Sequence, residues 1–242
     1  MRTLKIEDLK VLWNGYAKNY EAPYKSRLHR EHLNQLVSLF LPGSEIVLDA
    51  GCGTGILIPY IVERIRAKEI WLLDWSSAML EEAKAKAKKW QSCIFKFYCE
   101  DLCNLRNTFP EESVDAIICN LVINYLPCGW REAINQFKKL LKPGGYLYLG
   151  TLLKEWKFDI SFLLRHGFGD IIRDPLTSLK ELQYLKHQKI ISKITKVAIQ
   201  HGASFPSRDQ LLEHLSTENF AEIETRTTYW GYGIALRARK TL

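Results

Sequence analysis

The sequence predicts a doubly wound α/β domain with a mostly parallel sheet, on three observations. Apolar Ile46-Val47-Leu48 runs into a carboxylate, Asp49, and then into three glycines alternating with small residues, Gly51-Cys52-Gly53-Thr54-Gly55. Strand-like and helix-like segments then alternate as far as Thr151, the pattern of parallel strands joined by crossover helices. After Pro206 a short helix leads into two further strand-like runs that close the sheet.

Each element has a local warrant. Ile46–Asp49 is a short apolar run, expected as a buried first strand, and Ile56–Arg66 is its helix. Glycines at that junction permit positive φ and close approach of a ligand to the backbone. A strand-to-helix turn also aims free amides at whatever binds the helix N-terminus. Ile70–Asp74 is the second strand. The Ala-, Lys- and Glu-rich Ser77–Trp90 follows as a helix, with Ser76 or Ser77 as its N-cap. Ile94–Cys99 and Val114–Cys119 are the third and fourth strands. Trp130–Leu141 is an amphipathic helix that stops at Lys142-Pro143-Gly144-Gly145, and Tyr146–Thr151 is the fifth strand. From Lys154 to Phe205 the pattern becomes irregular and mostly helical. Pro206-Ser207-Arg208-Asp209-Gln210 restarts regular order through Leu211–Leu215, and Ile223–Trp230 and Gly233–Ala238 bring the strands to seven.

Composition narrows the class. At 242 residues the chain is one large domain, or a domain with an insertion, with enough length for a substantial core. The N-terminal residues are charged where a signal peptide needs an apolar centre, and no run reaches the length of a membrane span, so a cytoplasmic protein is expected. The six cysteines, Cys52, Cys93, Cys99, Cys103, Cys119 and Cys128, form no C-x-x-C pair and lie in or beside apolar runs. They read as free thiols, with neither a structural disulfide nor a metal site expected. The net charge of +7 is unevenly placed: between Glu181 and Asp209 there is no acid, while Lys186, Lys189, Lys193, Lys196 and Arg208 are all basic. That stretch is a solvated helix face or a surface for an anionic substrate, an acidic membrane or nucleic acid.

The glycine loop departs from the G-x-G-x-x-G dinucleotide fingerprint, because its third glycine comes one residue early. Asp49 ahead of it would repel a pyrophosphate and suits a ligand carrying positive charge. Asp74 ends the second strand, where a carboxylate can accept hydrogen bonds from both hydroxyls of a ribose. Trp75 and Met79 follow at a spacing that can sandwich an adenine, although core packing explains Met79 about as well. Asp101 and Leu102 follow the third strand, where an acid and a backbone amide can meet the adenine edge. Asn120 ends the fourth strand, either close to the reacting end of such a ligand or as a structural Asx turn.

These residues resemble the class I S-adenosylmethionine (SAM) dependent methyltransferases, particularly the small-molecule, type 11-like branch. The matching motifs are Asp49-Ala-Gly-Cys-Gly-Thr-Gly55, Leu73-Asp74-Trp-Ser-Ser-Ala-Met-Leu80, Glu100-Asp101-Leu102, Val114-Asp115-Ala-Ile-Ile and Leu140-Leu-Lys-Pro-Gly-Gly-Tyr146. The resemblance implies a Rossmann-like methyltransferase fold whose last strand is antiparallel, with SAM as cofactor. It implies cofactor contacts at Asp49, Gly51, Cys52, Gly53, Asp74, Trp75, Met79, Asp101, Leu102 and Asn120. Trp13, Ala17 and Tyr20 lie at helical spacing, and Tyr20, with Tyr16 second, matches a family tyrosine lying over the methyl donor. The chain thus divides into an N-terminal helical lid (1–44), a SAM-binding core (45–151), a helical cap for the acceptor (152–205) and a closing helix and strand pair (206–242).

The acceptor is expected to be a small organic molecule, with Trp156, Phe158 and Phe162 available to line its pocket. His166, His187, His201 and Tyr125 are candidates for a general base, but none has a diagnostic spacing, so no catalytic residue is assigned. Residues 182–208 leave open an RNA acceptor, or a lipid- or quinone-like acceptor reached by peripheral membrane contact. Against RNA, Asn120-Leu121-Val122-Ile123 is not the Asn-Pro-Pro-aromatic motif that holds a flipped base, and no RNA-binding module is attached. A non-catalytic SAM-binding domain is the remaining alternative, disfavoured by the intact Asp49, Gly51, Gly53, Asp74 and Asp101.

Overall fold

The structure is a computed structural model and describes residues 5–154 and 189–241. Its centre is a seven-stranded sheet: β1 (Ile46–Ala50), β2 (Glu69–Leu73), β3 (Ile94–Tyr98), β4 (Val114–Asn120), β5 (Leu141–Leu152), β6 (Phe220–Thr228) and β7 (Gly233–Lys240). The order across it is β3-β2-β1-β4-β5-β7-β6. The first five strands pair in parallel, and β7 inserts antiparallel to both β5 and β6. The strand order reverses direction between β1 and β4, and ligands of open α/β sheets bind at such a switch, outside the strands' carboxyl ends.

Helices cover both faces: α1 (Ile6–Tyr16), α2 (Arg27–Val37), α3 (Ile58–Tyr60), α4 (Ser77–Ala87), α5 (Gly129–Leu140), α6 (residues 189–200) and α7 (Arg208–Thr217). β1 and β2 are buried from their second residue onward and read as near-continuous apolar runs, as strands covered on both faces must. On one face, Leu48, Ile117, Leu147 and Leu236 pack beneath α5 and α7; on the other, Val47, Ile70, Ile118 and Ala235 pack beneath α2, α3 and α4. Ser76 caps α4 by accepting from the Met79 amide, and Ser207 with Gln210 forms a capping box for α7.

Four local expectations need correction. Ile56–Arg66 is not one helix: Pro59 opens a single turn at Ile58–Tyr60, which widens into a π turn over Ile61–Ile65 and stops at Arg66, with φ 61°. Pro143-Gly144-Gly145 does not separate helix from strand: Leu141 already pairs with Val114, and the irregularity is absorbed between Val114 and Ala116. Tyr229 and Trp230 leave β6 for the hairpin turn, with φ 49° and 54°, because a tight reversal needs positive φ. Finally, Cys103 and Cys128 are not free thiols. They form a disulfide with Cα atoms 5.6 Å apart, brought together because the turn after β3 meets the residue that opens α5. Spacing along the chain carries no trace of that encounter.

Most of residues 152–205, including Trp156, Phe158, Phe162, His166, Lys186 and His187, lies outside the described residues. Where the basic stretch is described, in α6, it is amphipathic: Ile194, Val197 and Ala198 are buried against Leu9 of α1, while Lys189, Lys193 and Lys196 are exposed. Among the described residues no helix is long and apolar enough to cross a membrane.

Candidate functional site

Asp49 sits in the last turn of β1 and is 1 % exposed, yet neither carboxylate oxygen has a hydrogen-bond partner. An unpaired buried carboxylate is costly, so it keeps its proton. Burial, reinforced by the charge of Asp74, pushes it up to about 8. The glycine loop begins two residues on. The amides of Gly51 and Cys52 both donate to Leu73 O, at 2.8 and 2.9 Å, and pin the loop to the end of β2. A side chain at Gly51 would collide with Val122 at 2.5 Å, and one at Gly53 would meet the Tyr20 ring at 2.9 Å. Both positions also hold positive φ, so only glycine leaves the space above the loop open.

Asp74 is bound into the same loop. Its carboxylate accepts from the Gly53 amide at 2.9 Å and from the Ser76 amide at 2.8 Å. Burial pushes it up to about 6 against the pull of those two donors. Asp101 caps the turn after β3 by accepting from the Cys103 amide at 2.9 Å. Gly51, Gly53, Asp74, Trp75, Met79, Asp101 and Leu102 line one cavity of about 70 Å³, roofed by Leu9, Trp13, Tyr20 and Tyr125. Seven of the twelve residues proposed from sequence thus share that wall, and Tyr20 covers it. Three others lie elsewhere. Cys52 is buried in the apolar layer under α3, Tyr16 faces a second cavity, and Asn120 lines neither cavity because its amide oxygen is held by His32 Nε2 at 2.8 Å. Asp49 lies behind the loop, with its carboxylate buried.

The N-terminal segment is fastened over the loop by contacts the sequence did not suggest. Asn14 Oδ1 accepts from Ser76 Oγ at 2.6 Å, tying α1 to the start of α4. Glu21 accepts from Thr54 Oγ1 at 2.5 Å and from Lys86, whose ammonium also donates to Thr54 O at 2.7 Å. Tyr20 reaches over Gly53 from the turn following a 3-10 stretch, Ala17–Asn19, and stacks edgewise on Trp13, Tyr16 and, at a tilt, Tyr24.

The second cavity is much larger, about 740 Å³, and borders the first across Trp13, Tyr20, Leu121 and Tyr125, which line both. Leu121 holds φ 57° at the end of β4, a conformation that costs a branched side chain on the order of 1 kcal/mol and is retained where the site dictates it. His29 lines this cavity, and His32 stands behind it. Burial lowers His29 to about 3 and His32 to about 4, so both imidazoles are neutral at pH 7. Burial raises Tyr16 and Tyr20 well above the usual phenol range, and Tyr24 and Tyr125 to about 12. Tyr125 is hydrogen-bonded to Thr195 of α6. The sequence held little sign of the second cavity, because its walls come from α1, the turn before α2, the ends of β4 and β5, α6 and the β6–β7 turn.

Residues 47–145 match a family described as a methyltransferase domain. The chain is 32 % identical over 146 residues to a malonyl-[acyl-carrier protein] O-methyltransferase of Priestia megaterium, covering 59 % of this chain and 50 % of that protein. It is 31 % identical over 137 residues to a tRNA N(3)-cytidine methyltransferase of Bos taurus, covering 53 % of this chain and 35 % of that one. The chain therefore spans about half or less of these curated relatives' length. Among solved structures it resembles the N-methyltransferase NodS of Bradyrhizobium japonicum in complex with S-adenosylhomocysteine (SAH), with TM-score 0.58 and 17 % identity over 89 % of this chain and 88 % of that one. Residues 47–145 are thus similar to a methyltransferase domain, and over most of the chain the fold is that of the SAH-bound neighbour.

Proposed function

We propose that this protein transfers a methyl group from SAM to a small organic acceptor, with the cofactor on the glycine loop and the acceptor in the 740 Å³ cavity. The cavity that the glycine loop shares with Asp74 and Asp101 carries this reading, and the unpartnered Asp49 carboxylate behind the loop would be offset by a cationic ligand on the loop's far side. Asp74 would take the ribose hydroxyls, Asp101 and the Leu102 amide the adenine edge, and Trp75 and Met79 its faces. When bound, the cofactor supplies a methyl carbon on a sulfonium leaving group: the acceptor's lone pair bonds to that carbon as its C–S bond breaks.

The protein's part is placement and the exclusion of water. Tyr20, Trp13, Leu121 and Tyr125 stand between the two cavities and set the approach, and such positioning contributes roughly 7–11 kcal/mol. The phenols stay protonated and His29 is a weak base, so the described walls suit an acceptor that arrives with its lone pair free. Calorimetry with SAM and with SAH tests the cofactor half. We expect binding by the wild type and a loss of at least tenfold in Asp74→Ala. Absence of heat, or unchanged affinity in the variant, would refute the cofactor assignment.

A second reading, an RNA acceptor, is supported by the exposed Lys193 beside Lys189 and Lys196 and by the tRNA-modifying relative. It requires binding to RNA that weakens steeply with salt.

A further inference from the structure

Among the described residues, the larger cavity carries charge of one sign. Its described walls include three ammonium groups, Lys154 just past the end of β5 and Lys189 and Lys196 on α6, and no carboxylate. None of the three forms an ion pair with another described residue. They are exposed, which sets them at the rim, whereas the interior is made of rings: Trp13, Tyr16, Tyr24, Tyr125 and Tyr229.

The placement on α6 is not that of a uniformly solvated helix. Lys189, Ser192, Lys196 and Ile199 recur at three- and four-residue steps and form one stripe facing the cavity. Ile194, Val197 and Ala198 are buried against Leu9 and fix the helix's rotation. Lys193, on the same helix, is exposed and outside the cavity. The cavity's 740 Å³ lies in the range of roughly 300–1,000 Å³ typical of ligand sites, far more than a bare inorganic anion fills.

Resting on the methyltransferase reading, we propose that this cavity binds an amphipathic anionic acceptor. A carboxylate or phosphate would sit at the Lys154–Lys189–Lys196 rim and an aromatic or acyl body against the Tyr16–Tyr24–Tyr229 wall. The ammonium groups supply attraction and orientation, and the rings supply apolar contact that a fully hydrated ion does not need. The border along Leu121 and Tyr125 then places the body of the molecule, rather than its anion, nearest the cofactor cavity.

The test uses the full chain saturated with SAH and three probes of matched shape: 2-naphthoate, 2-naphthyl phosphate and the neutral 2-naphthamide, titrated calorimetrically. At least one anion is expected to bind tenfold or more tightly than the amide, and which of the two does so identifies the group the rim prefers. The triple variant Lys154→Gln/Lys189→Gln/Lys196→Gln should lose that advantage while its SAH affinity stays within twofold. Lys193→Gln should change neither. The proposal is overturned if the amide binds as well as both anions, or if Lys193→Gln weakens the anion as much as the triple variant does. Tight RNA binding lost equally in both variants would likewise overturn it in favour of a nucleic-acid surface. Failure of SAH to bind would strike the methyltransferase reading instead, and the probe titrations without SAH would still report on the rim.

Discussion

Asp49 holds a proton at pH 7 in the unliganded protein, because both its oxygens are buried without partners and the Asp74 charge is near. A cation seated on the loop would favour the carboxylate, so cofactor binding is expected to expel that proton at a pH below about 8. Affinity for SAM should therefore rise between pH 6 and pH 8, by at most about tenfold per unit for one coupled proton. Calorimetry at pH 7 in two buffers of different ionisation enthalpy should read close to one proton released, and a buffer-independent enthalpy contradicts the idea. Asp49→Asn should abolish the release and weaken binding by about 2 kcal/mol, the order of a charge attraction acting across the loop. His32 titrates in the opposite sense. It is fully buried, bonded to Asn120 and, at 3.0 Å, to Thr228, and its pKa is lowered to about 4. The unfolded chain takes up a proton below pH 6.5 that the folded His32 refuses, so its contribution to stability is lost as pH falls from 6.5 towards 4. The slope is about 1.4 kcal/mol per pH unit. Asp49 works the other way over this window, gaining stability as pH falls, so the effect must be read as a difference. The stability gap between wild type and His32→Gln, measured by urea unfolding, should narrow steadily from pH 6.5 to pH 4. A constant gap would show that His32 does not titrate as its burial requires.

At the scale of elements, the N-terminal segment is both roof and obstacle. Tyr20 lies against Gly53, and the space beneath it is about 70 Å³, well short of the roughly 300 Å³ at which ligand pockets begin. The segment from α1 to α2 is therefore expected to lift when the cofactor seats, and the Glu21–Thr54–Lys86 contacts are what it would release. The Lys86 and Glu21 side chains are 31 % and 43 % exposed, so the latch contributes on the order of 0.5–1 kcal/mol. Glu21→Gln should speed SAM association about two- to fivefold, read from stopped-flow quenching of Trp13 and Trp75. An unchanged association rate would mean that the segment does not gate the site. Sequence made some of this legible and hid the rest, for one reason. Asp74 and Asp101 are recognisable because the first follows directly on β2 and the second comes three residues past the end of β3, so the local pattern that sets the strand also points to the acid beyond it. The aromatic spacing of Trp13 and Tyr20 was visible too, although a 3-10 turn at Ala17–Asn19, rather than one continuous helix, delivers Tyr20 to the loop. Partners far apart in the chain left no mark. His32 meets Asn120 across 88 residues, Glu21 meets Lys86 across 65, and the Cys103–Cys128 disulfide joins segments 25 apart. Periodicity reports which face an element buries, not which distant side chain it meets there.

For the whole molecule, the decisive arrangement is that α1 and α6 form one roof over two adjoining cavities. Leu9 of α1 packs on Ile194, Val197 and Ala198 of α6, and Trp13, Trp75 and Tyr125 border the same apolar cluster. Trp75 lines the smaller cavity, Tyr125 lines both, and Tyr125 is hydrogen-bonded to Thr195. A ligand that orders Trp75 should therefore act on the helix that carries Lys189 and Lys196. Because this cluster holds α6 against α1, the helix's stability depends on Leu9, whose truncation should cost about 2–4 kcal/mol. Hydrogen exchange with and without SAH separates the possibilities. In the wild type, SAH should slow exchange in residues 49–55 and, together with them, in α1 and residues 189–200. In Leu9→Ala the loop should still be protected by SAH, while the protection of residues 189–200 should fall away. Protection of the loop alone in the wild type would show that the two cavities are neighbours without being coupled. Joint protection that Leu9→Ala removes would place the order of events in the roof: cofactor first, then α6, then a rim of lysines held ready for the acceptor.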